Sequence, residues 1–262
     1  MDEPAPDRPR GDKLDRALLL GERRNDLLTL REVERYGREN FGNPDYVSLY
    51  GLRPADWYPL GVRIAGRTAV ECTRDRLADL ISRDIASLAG RNPADVALAV
   101  DLFAGSGNTL FWIKHHLRSA RAVGFELDDT VFALADANLR LVGADVELLH
   151  ESYATGLPAL RVPAEQPVVV FVAPPWGRAL SADTGLDLRA TTPPVAHVLR
   201  LCAQTLGSRP VLFAVQVFER VEQDSLADVT ALLDQWELMI YHLDAAGHNH
   251  GVLLGTLNWS PA

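Results

Sequence analysis

Residues 100–109, VDLFAGSGNT, give the clearest indication of how this chain folds. The apolar run just before, residues 96–100, is typical of a buried parallel strand. Gly105 and Gly107 have no Cβ, so they permit a tight turn and let the backbone approach a ligand closely. Residues 108–113 then begin a helix whose first N–H groups face the turn. A strand, a glycine turn and a helix in this order predict a nucleotide-binding α/β fold.

The glycine spacing and a later acidic residue limit which nucleotides the chain is expected to bind. A dinucleotide fingerprint needs a third glycine where this chain has Leu110, and a phosphate-binding loop needs a lysine that is missing here. The next predicted strand, residues 121–126, ends in Glu126, at the distance where nucleotide-binding folds place a ribose-binding carboxylate. A carboxylate accepts two hydroxyl hydrogen bonds, which suits a ribose diol. Asp128 is a candidate N-cap of a helix over residues 130–142.

A second motif, Ala173-Pro174-Pro175-Trp176-Gly177, follows the β-branched and aromatic strand 168–172. The carboxyl ends of parallel strands meet at one edge of a sheet, so this motif and the glycine turn are predicted to border the same crevice. Two prolines stiffen the backbone and remove two N–H donors, which leaves carbonyl groups to accept from a substrate N–H. Trp176 offers a flat face for stacking on a planar ring. A strand-ending turn with a core tryptophan is the alternative explanation.

The two motifs together resemble class I S-adenosylmethionine-dependent methyltransferases, whose motif I is similar to D-x-F-x-G-S-G at residues 101–107. The Pro-Pro-Trp-Gly segment resembles the trimethylguanosine synthase family, which are RNA cap guanine-N2 methyltransferases. The resemblance extends from about residue 65 to the C-terminus. It implies an α/β fold with a Rossmann-like seven-stranded sheet, helices on both faces, and a closing hairpin of strands 237–243 and 251–257. It also implies S-adenosylmethionine as cofactor and S-adenosylhomocysteine as product.

The motifs and the resemblance assign three sets of site residues. Cofactor binding is assigned to Thr73, Asp101, Phe103, Ala104, Gly105, Gly107, Asn108, Thr109, Glu126, Leu127, Glu151, Ser152 and Ala173. Catalytic roles are assigned to Ala173, Pro174 and Trp176. Substrate binding is assigned to Pro175, Trp176, Asp183, Asp187, Tyr50 and Trp57. The two aspartates lie in a polar stretch, residues 178–192, which is expected to be a loop beside the site.

The chain departs from the family pattern at three positions. Ala173 stands where relatives have a polar side chain that accepts from the attacking amine, Ser152 replaces an acid near the adenine, and motif I lacks one glycine. Methyl transfer remains expected, because the sulfonium is a strongly activated donor and in-line placement supplies much of the acceleration. We therefore expect direct transfer without a dedicated base. A non-catalytic cofactor-binding subunit is the alternative that Ala173 leaves open.

The net charge of the chain indicates which kind of molecule accepts the methyl group. The 262 residues carry a formal net charge of -9, whereas a protein that binds a phosphate backbone normally presents a basic face. The arginines of residues 23–38 alternate with acids, as on a solvated helix. We therefore expect a small planar aromatic metabolite, methylated on a ring nitrogen, an amine or a nucleophilic ring carbon. A guanine-N2 methyltransferase acting on RNA is the alternative within this class, and a nicotinamide-dependent oxidoreductase is the alternative outside it.

Three segments are expected along the chain. Residues 1–12 are rich in Pro, Asp and Arg and are predicted to be a disordered tail. Residues 13–65 form a helical and aromatic extension, with a largely helical stretch over 14–38. Its aromatic side chains either cover the substrate as a lid or pack the extension onto the main domain. Residues 66–262 form the cofactor-binding domain, in which Thr73 is a candidate cap of a helix ending at Ala89.

Cysteine and histidine usage gives no indication of a metal site. The two cysteines form no C-x-x-C pair, and no signal peptide or membrane-length apolar run is present, so we expect a cytoplasmic protein with no membrane partner. Adjacent His115 and His116 would point in different directions on a helix. His248 and His250 fall in a predicted hairpin turn. A monomer or a homodimer is expected.

Overall fold

A computed structural model describes residues 14–90, 95–162, 165–181, 183–243 and 249–259. The predicted tail over residues 1–12 lies outside these ranges, as does His248 with most of the predicted hairpin turn.

One mixed sheet forms the centre of the described structure. Its strands are β1 (Leu98–Asp101), β2 (Arg121–Phe125), β3 (Glu147–Leu149), β4 (Val168–Val172), β7 (Val211–Phe218), β8 (Gln235–Tyr241) and β9 (His250–Leu257). Their order is β3-β2-β1-β4-β7-β9-β8, and β9 runs in the opposite direction to the other six strands. Two short strands, β5 (Leu180–Ser181) and β6 (Gly185–Leu186), pair separately. The predicted seven-stranded α/β fold class is confirmed, with the closing hairpin in place.

Helices cover both faces of the sheet. They are α1 (Arg16–Leu20), α2 (Leu30–Phe41), α3 (Pro54–Trp57), α4 (Gly66–Glu71), α5 (Asp75–Ala89), α6 (Asn108–His116), α7 (Asp129–Leu141), α8 (Tyr153–Ala159), α9 (Val195–Leu206) and α10 (Gln223–Thr230), with a 3-10 turn at Gly177–Ala179. Side chains of α8, α9 and α10 pack on one face, and those of α5 and α6 pack on the other. No helix in the described ranges is long and apolar enough to cross a membrane.

Strand β4 shows why the sheet is buried on both sides. Val168, Val170 and Val172 point into the cluster under α9, while Val169 and Phe171 point into the cluster under α5. Side chains alternate between the two faces of a strand, so a strand covered on both faces is apolar throughout. This is the reason that the uninterrupted apolar sequence predicted the strand correctly.

The predicted helical stretch over residues 14–38 is interrupted. Helix α1 ends at Gly21, and α2 begins only after Thr29. Thr29 and Glu32 form a capping box, in which each side chain bonds the other residue's backbone N–H. This local capping starts a second helix at Leu30.

Two capping predictions have opposite outcomes. Asp128 is the N-cap of α7, and its side chain accepts from the N–H groups of Thr130 and Val131. The prediction that Thr73 caps α5 is wrong, because Arg74 occupies that position without a side-chain cap. The Thr73 hydroxyl instead donates to Gln216, a contact between segments that are distant in sequence.

The N-terminal extension shares a core with the rest of the fold. Apolar side chains of α2, α3 and the segment between them pack in one cluster with Leu110 of α6 and Leu139 of α7. Asn138 of α7 accepts from the backbone N–H of Arg63 at 2.9 Å and donates to its carbonyl at 2.7 Å. The extension is therefore bound to the α6–α7 side by both apolar packing and hydrogen bonds.

The strand order places a ligand site. The chain moves outward from β1 through β2 to β3, then returns to place β4 on the other side of β1. Open α/β sheets bind ligands in the crevice beyond the carboxyl ends of their strands at such a switch point. The glycine turn follows β1, and the Pro-Pro-Trp segment follows β4.

Candidate active site

A cavity of about 1280 Å³ lies at this switch point. Its wall includes residues 101–106 from the glycine turn and residues 173–177 from the Pro-Pro-Trp segment. Cavities that hold one drug-sized ligand measure roughly 300–1,000 Å³. This cavity can therefore contain a nucleotide-sized cofactor together with a second molecule.

Most of the predicted site residues border this cavity. Those that do are Thr73, Asp101, Phe103, Ala104, Gly105, Thr109, Glu126, Leu127, Glu151, Ser152, Ala173, Pro174, Pro175 and Trp176. Those outside its wall are Tyr50, Trp57, Gly107, Asn108, Asp183 and Asp187.

The two glycines of the turn have different roles. Both have left-handed backbone conformations, with φ of 53° at Gly105 and 73° at Gly107. A Cβ on Gly105 would meet no atom closer than 3.9 Å, because this position faces the cavity. A Cβ on Gly107 would lie 2.7 Å from Cδ1 of Leu139. Gly105 therefore keeps ligand space clear, and Gly107 lets α7 pack closely.

Asp101 is a buried carboxyl at the floor of the cavity. It is 1 % exposed, and its Oδ1 accepts from the backbone N–H of Phe103 at 3.0 Å. The pKa of Asp101 is raised to about 7, chiefly by burial and in smaller part by the nearby Glu126 carboxylate, while the hydrogen bond from the Phe103 N–H opposes the shift. A cation bound beside Asp101 would favour its ionised form. The site is thus suited to an ammonium group.

Two backbone N–H groups orient the Glu126 carboxylate. Gly105 donates to Oε2 at 2.9 Å, and Asp128 donates to Oε1 at 2.8 Å. Each oxygen keeps a second lone pair, so the carboxylate can still accept from two hydroxyls. Beside it, Arg67 pairs with Asp128 at 2.6 Å and with Glu71 at 3.1 Å. The positive charge of this arginine is therefore matched locally.

The side of the cavity nearest β3 combines an apolar surface with polar groups. Leu127 is 69 % exposed although it is a large hydrophobic residue, and the aromatic rings of Phe103 and Tyr153 lie 5.1 Å apart. The Ser152 hydroxyl accepts from the N–H of Ala154 at 3.3 Å as the N-cap of α8. Ser152 therefore has a structural bond as well as a position on the cavity wall.

The Trp176 ring is held by Phe218, which sequence reasoning did not identify, and by His250. The prediction that His250 lies in a hairpin turn is wrong, because it is the first residue of β9. The Trp176 ring stacks on His250 with ring centroids 5.6 Å apart and planes at 22°, and it meets Phe218 edge-on at 6.3 Å. All three residues border the cavity. Trp176 is half-buried, so it is both packed against the end of the sheet and available to a ligand.

Asn108 connects three segments rather than lining the cavity. Its Oδ1 accepts from the N–H of Tyr50 at 2.7 Å, and its Nδ2 donates to the carbonyl of Thr73 at 2.8 Å. The Tyr50 hydroxyl donates to the carbonyl of Ser106 at 2.6 Å. Tyr50 is therefore a buried brace for the glycine turn, which accounts for its position away from the substrate space.

Three other predicted substrate residues lie outside the cavity wall. Trp57 is 0 % exposed, and its Nε1 donates to the carbonyl of Val47. Asp187 pairs with Arg189 at 3.0 Å, and Asp183 is exposed to solvent. The stretch over residues 178–192, which was predicted to be a loop, contains β5 and β6. Asp183 lies between these two strands, and Asp187 follows β6.

The extension contributes a wall that sequence reasoning left unassigned. Tyr36, Phe41 and Tyr46 border the cavity, and the rings of Phe41 and Tyr46 stack with centroids 3.4 Å apart. The guanidinium of Arg74 lies 3.5 Å above the Tyr46 ring centroid. The aromatic composition of this segment was the available signal, but composition does not distinguish wall residues from core residues.

Gln216 was also missed. It is 8 % exposed, lies in β7 and borders the cavity. The signal was a single polar residue in the apolar strand sequence VLFAVQVF, near its carboxyl end.

The described ranges contain no cluster of three His, Cys, Asp or Glu side chains that could hold a metal ion. His116 instead bonds Asp79 at 2.8 Å.

Comparisons with known proteins show the fold. No protein-family profile and no curated protein matches the chain. The METTL16 methyltransferase domain superposes with a TM-score of 0.52 at 13% identity, over 73% of this chain and 72% of that chain. The precorrin-6y C5,15-methyltransferase of Geobacter metallireducens superposes with a TM-score of 0.47 at 13% identity, over 71% and 89% of the two chains. A human methyltransferase 10 domain-containing protein gives 0.48 at 12% identity, over 70% and 84%. The likeness to the METTL16 domain shows that this chain has the Rossmann-like fold of class I methyltransferases.

Proposed function

We propose that this chain is an S-adenosylmethionine-dependent methyltransferase. One observation supports the proposal most directly. The glycine turn, the acids Asp101 and Glu126 and the Pro-Pro-Trp segment border a single cavity at the switch point of the sheet. A nucleotide-binding site alone would not explain why the carbonyl groups of the Pro-Pro-Trp segment and the Trp176 ring border the same cavity.

The residues present fit the chemistry of S-adenosylmethionine. Asp101 would hold the ammonium of its methionine part, and the open space beside Gly105 would admit that part. The Glu126 carboxylate would accept from the ribose hydroxyls. Leu127 offers an apolar surface to the adenine.

The bound cofactor would supply a methyl group on a positively charged sulfur. The carbonyl groups of Ala173 and Pro174 would accept an N–H of the second molecule and orient its lone pair along the line of transfer. Trp176, held against His250, would fix the plane of the acceptor by stacking. The Pro-Pro-Trp segment contains no side chain that can act as a base, so the proton of a methylated N–H would leave to water.

We further propose that the acceptor is a small planar aromatic molecule. The cavity wall includes more acids than arginines, and Arg67 is paired with two of the acids. The acids are Glu71, Asp101, Glu126, Asp128 and Glu151, and the arginines are Arg16, Arg67 and Arg74. A phosphate backbone would meet repulsion at such a wall. The net charge of -9 supports the same choice.

Calorimetry with S-adenosylhomocysteine and with NAD tests the cofactor. We expect S-adenosylhomocysteine to bind and NAD not to bind; the opposite result would favour an oxidoreductase. Transfer of labelled methyl groups from S-adenosylmethionine to planar heteroaromatic compounds then tests the activity. An RNA acceptor would instead reveal itself by an affinity that falls steeply with salt concentration.

A further inference from the structure

Gln216 occupies the position beside Ala173 at the carboxyl edge of the sheet. Val172 of β4 pairs with Val215 of β7, so Ala173 and Gln216 each directly follow one residue of this pair. Val172 and Val215 point towards α9, so the following residues point to the opposite face, where α5 lies. Ala173 packs with the cluster on that face.

The oxygen of the Gln216 carboxamide is held by a hydrogen bond, and its nitrogen is left for the cavity that Gln216 borders. The Thr73 hydroxyl donates to Oε1 at 2.7 Å. Among the residues that the structure describes, no group accepts a hydrogen bond from Nε2, and Gln216 borders the cavity. A side-chain donor that is oriented by a hydrogen bond from Thr73 and borders a ligand cavity is placed to donate to a bound ligand.

Ala173 leaves room for such a group. Its methyl group fills little of the cavity wall and offers no hydrogen-bonding atom. The carboxamide of Gln216 comes from the adjacent strand on the same face, so it can serve the acceptor there.

We propose that Gln216 binds the methyl acceptor by donating from Nε2 to a carbonyl oxygen next to the reacting nitrogen. The carbonyl groups of Ala173 and Pro174 accept the N–H, and Gln216 donates to the C=O beside it. The acceptor class is then a planar heteroaromatic with adjacent N–H and C=O groups, that is, a cyclic amide edge. This inference rests on the proposed function and adds the chemical class of its substrate.

The test compares two probes of similar shape, oxindole and indole. Both present an N–H on a fused bicyclic ring, and oxindole adds a carbonyl beside it. Ligand-detected NMR titrations are made with protein saturated with S-adenosylhomocysteine. We expect wild-type protein to bind oxindole about tenfold more tightly than indole, as one hydrogen bond allows. Equal binding of the two probes would overturn the proposal.

Variants separate substrate recognition from other roles. Gln216→Met keeps a similar volume without a donor and should bring the oxindole preference close to one, with the affinity for S-adenosylhomocysteine unchanged. Gln216→Glu should reverse the preference, because its carboxylate opposes the carbonyl oxygen. Gln235→Met, on the exposed start of β8, should keep the preference.

The two proposals can fail separately. If Gln216→Met keeps the preference and loses affinity for S-adenosylhomocysteine, Gln216 belongs to the cofactor site and the inference is wrong. If wild-type protein does not bind S-adenosylhomocysteine at all, the proposed function fails, and the inference fails with it.

Discussion

The backbone N–H of Gly105 donates to Oε2 of Glu126 at 2.9 Å, and this bond joins the glycine turn after β1 to the acid after β2. The second oxygen of Glu126 is held by the N–H of Asp128. A carboxylate held at both oxygens keeps one orientation before a ligand arrives, which reduces the entropy lost on binding.

Glu126→Gln should weaken S-adenosylhomocysteine binding by about 10- to 100-fold. Hydrogen bonds to a charged group contribute about 1.5–3 kcal/mol, and the amide can accept at only one of its two ends. Calorimetry measures the change, with Glu237→Gln on the exposed part of β8 as the matched control. An unchanged affinity would show that Glu126 does not bind the ribose.

Gly105→Ala and Gly107→Ala should have different consequences. Each substitution places alanine in a left-handed conformation, which should lower the free energy of unfolding by about 1–2 kcal/mol. Gly107→Ala adds a contact with Leu139 and should destabilise further, by about 1–3 kcal/mol. Gly105→Ala should instead lose most cofactor affinity, because its methyl enters the cavity. Urea unfolding and calorimetry separate the two effects, and full affinity in Gly105→Ala would contradict the assignment.

Asp101 should make stability depend on pH. Its pKa is raised to about 7 in the folded protein, against about 3.9 when unfolded, so the folded state binds more protons between these values. Stability should therefore decrease as pH rises from about 4 to 7, by roughly 1.4 kcal/mol per unit at most from this group. Asp101→Asn should remove that contribution. Urea unfolding across this pH range checks the difference between the two proteins, and identical slopes would disprove the prediction.

The same carboxyl should couple proton release to cofactor binding. An ammonium beside Asp101 favours the carboxylate, so S-adenosylhomocysteine should release up to one proton at pH 6 to 7. Calorimetry in buffers of different ionisation enthalpy detects this release. Asp101→Asn should bind without it, and equal release in both proteins would place the proton elsewhere.

Asn108→Ala should destabilise the fold by about 2–4 kcal/mol. The change leaves the N–H of Tyr50 and the carbonyl of Thr73 without their partner, and each buried group of this kind costs about 1–3 kcal/mol. Urea unfolding measures the loss, and hydrogen exchange at the Tyr50 N–H should accelerate. Asn43→Ala, in an exposed turn, is the control. A loss below 1 kcal/mol would mean that the three segments are held by packing alone.

Trp176→Ala should lower kcat/KM by about 10- to 100-fold with little change in S-adenosylhomocysteine affinity. Aromatic stacking on a planar base contributes about 1–3 kcal/mol. Trp176→Phe should recover part of the activity, because a smaller flat ring remains. Full turnover in Trp176→Ala would exclude stacking as the way the acceptor is held.

Predictions from local sequence succeeded where local chemistry decides the outcome. Strand β4 is apolar because both its faces are covered, and Asp128 caps α7 because its side chain reaches N–H groups two and three residues away. The same reasoning failed for the aromatic residues of the extension. Trp57 and Tyr46 have similar sequence surroundings, yet Trp57 is buried in the core and Tyr46 borders the cavity.

The sequence was sufficient to assign the fold class from three features: the order of the apolar strands, the glycine turn and the Pro-Pro-Trp segment. A parallel sheet brings the carboxyl ends of its strands to one edge, so these features belong together. Which side chains enter the cavity depended on contacts between distant segments. Thr73 and Gln216 are 143 residues apart, and Tyr50 and Asn108 are 58 residues apart. Periodicity and capping act over a few residues, whereas these bonds exist only once the extension, α5 and β7 have packed against the sheet. The strand order therefore places the site, and long-range packing selects the side chains that give it a chemical specificity.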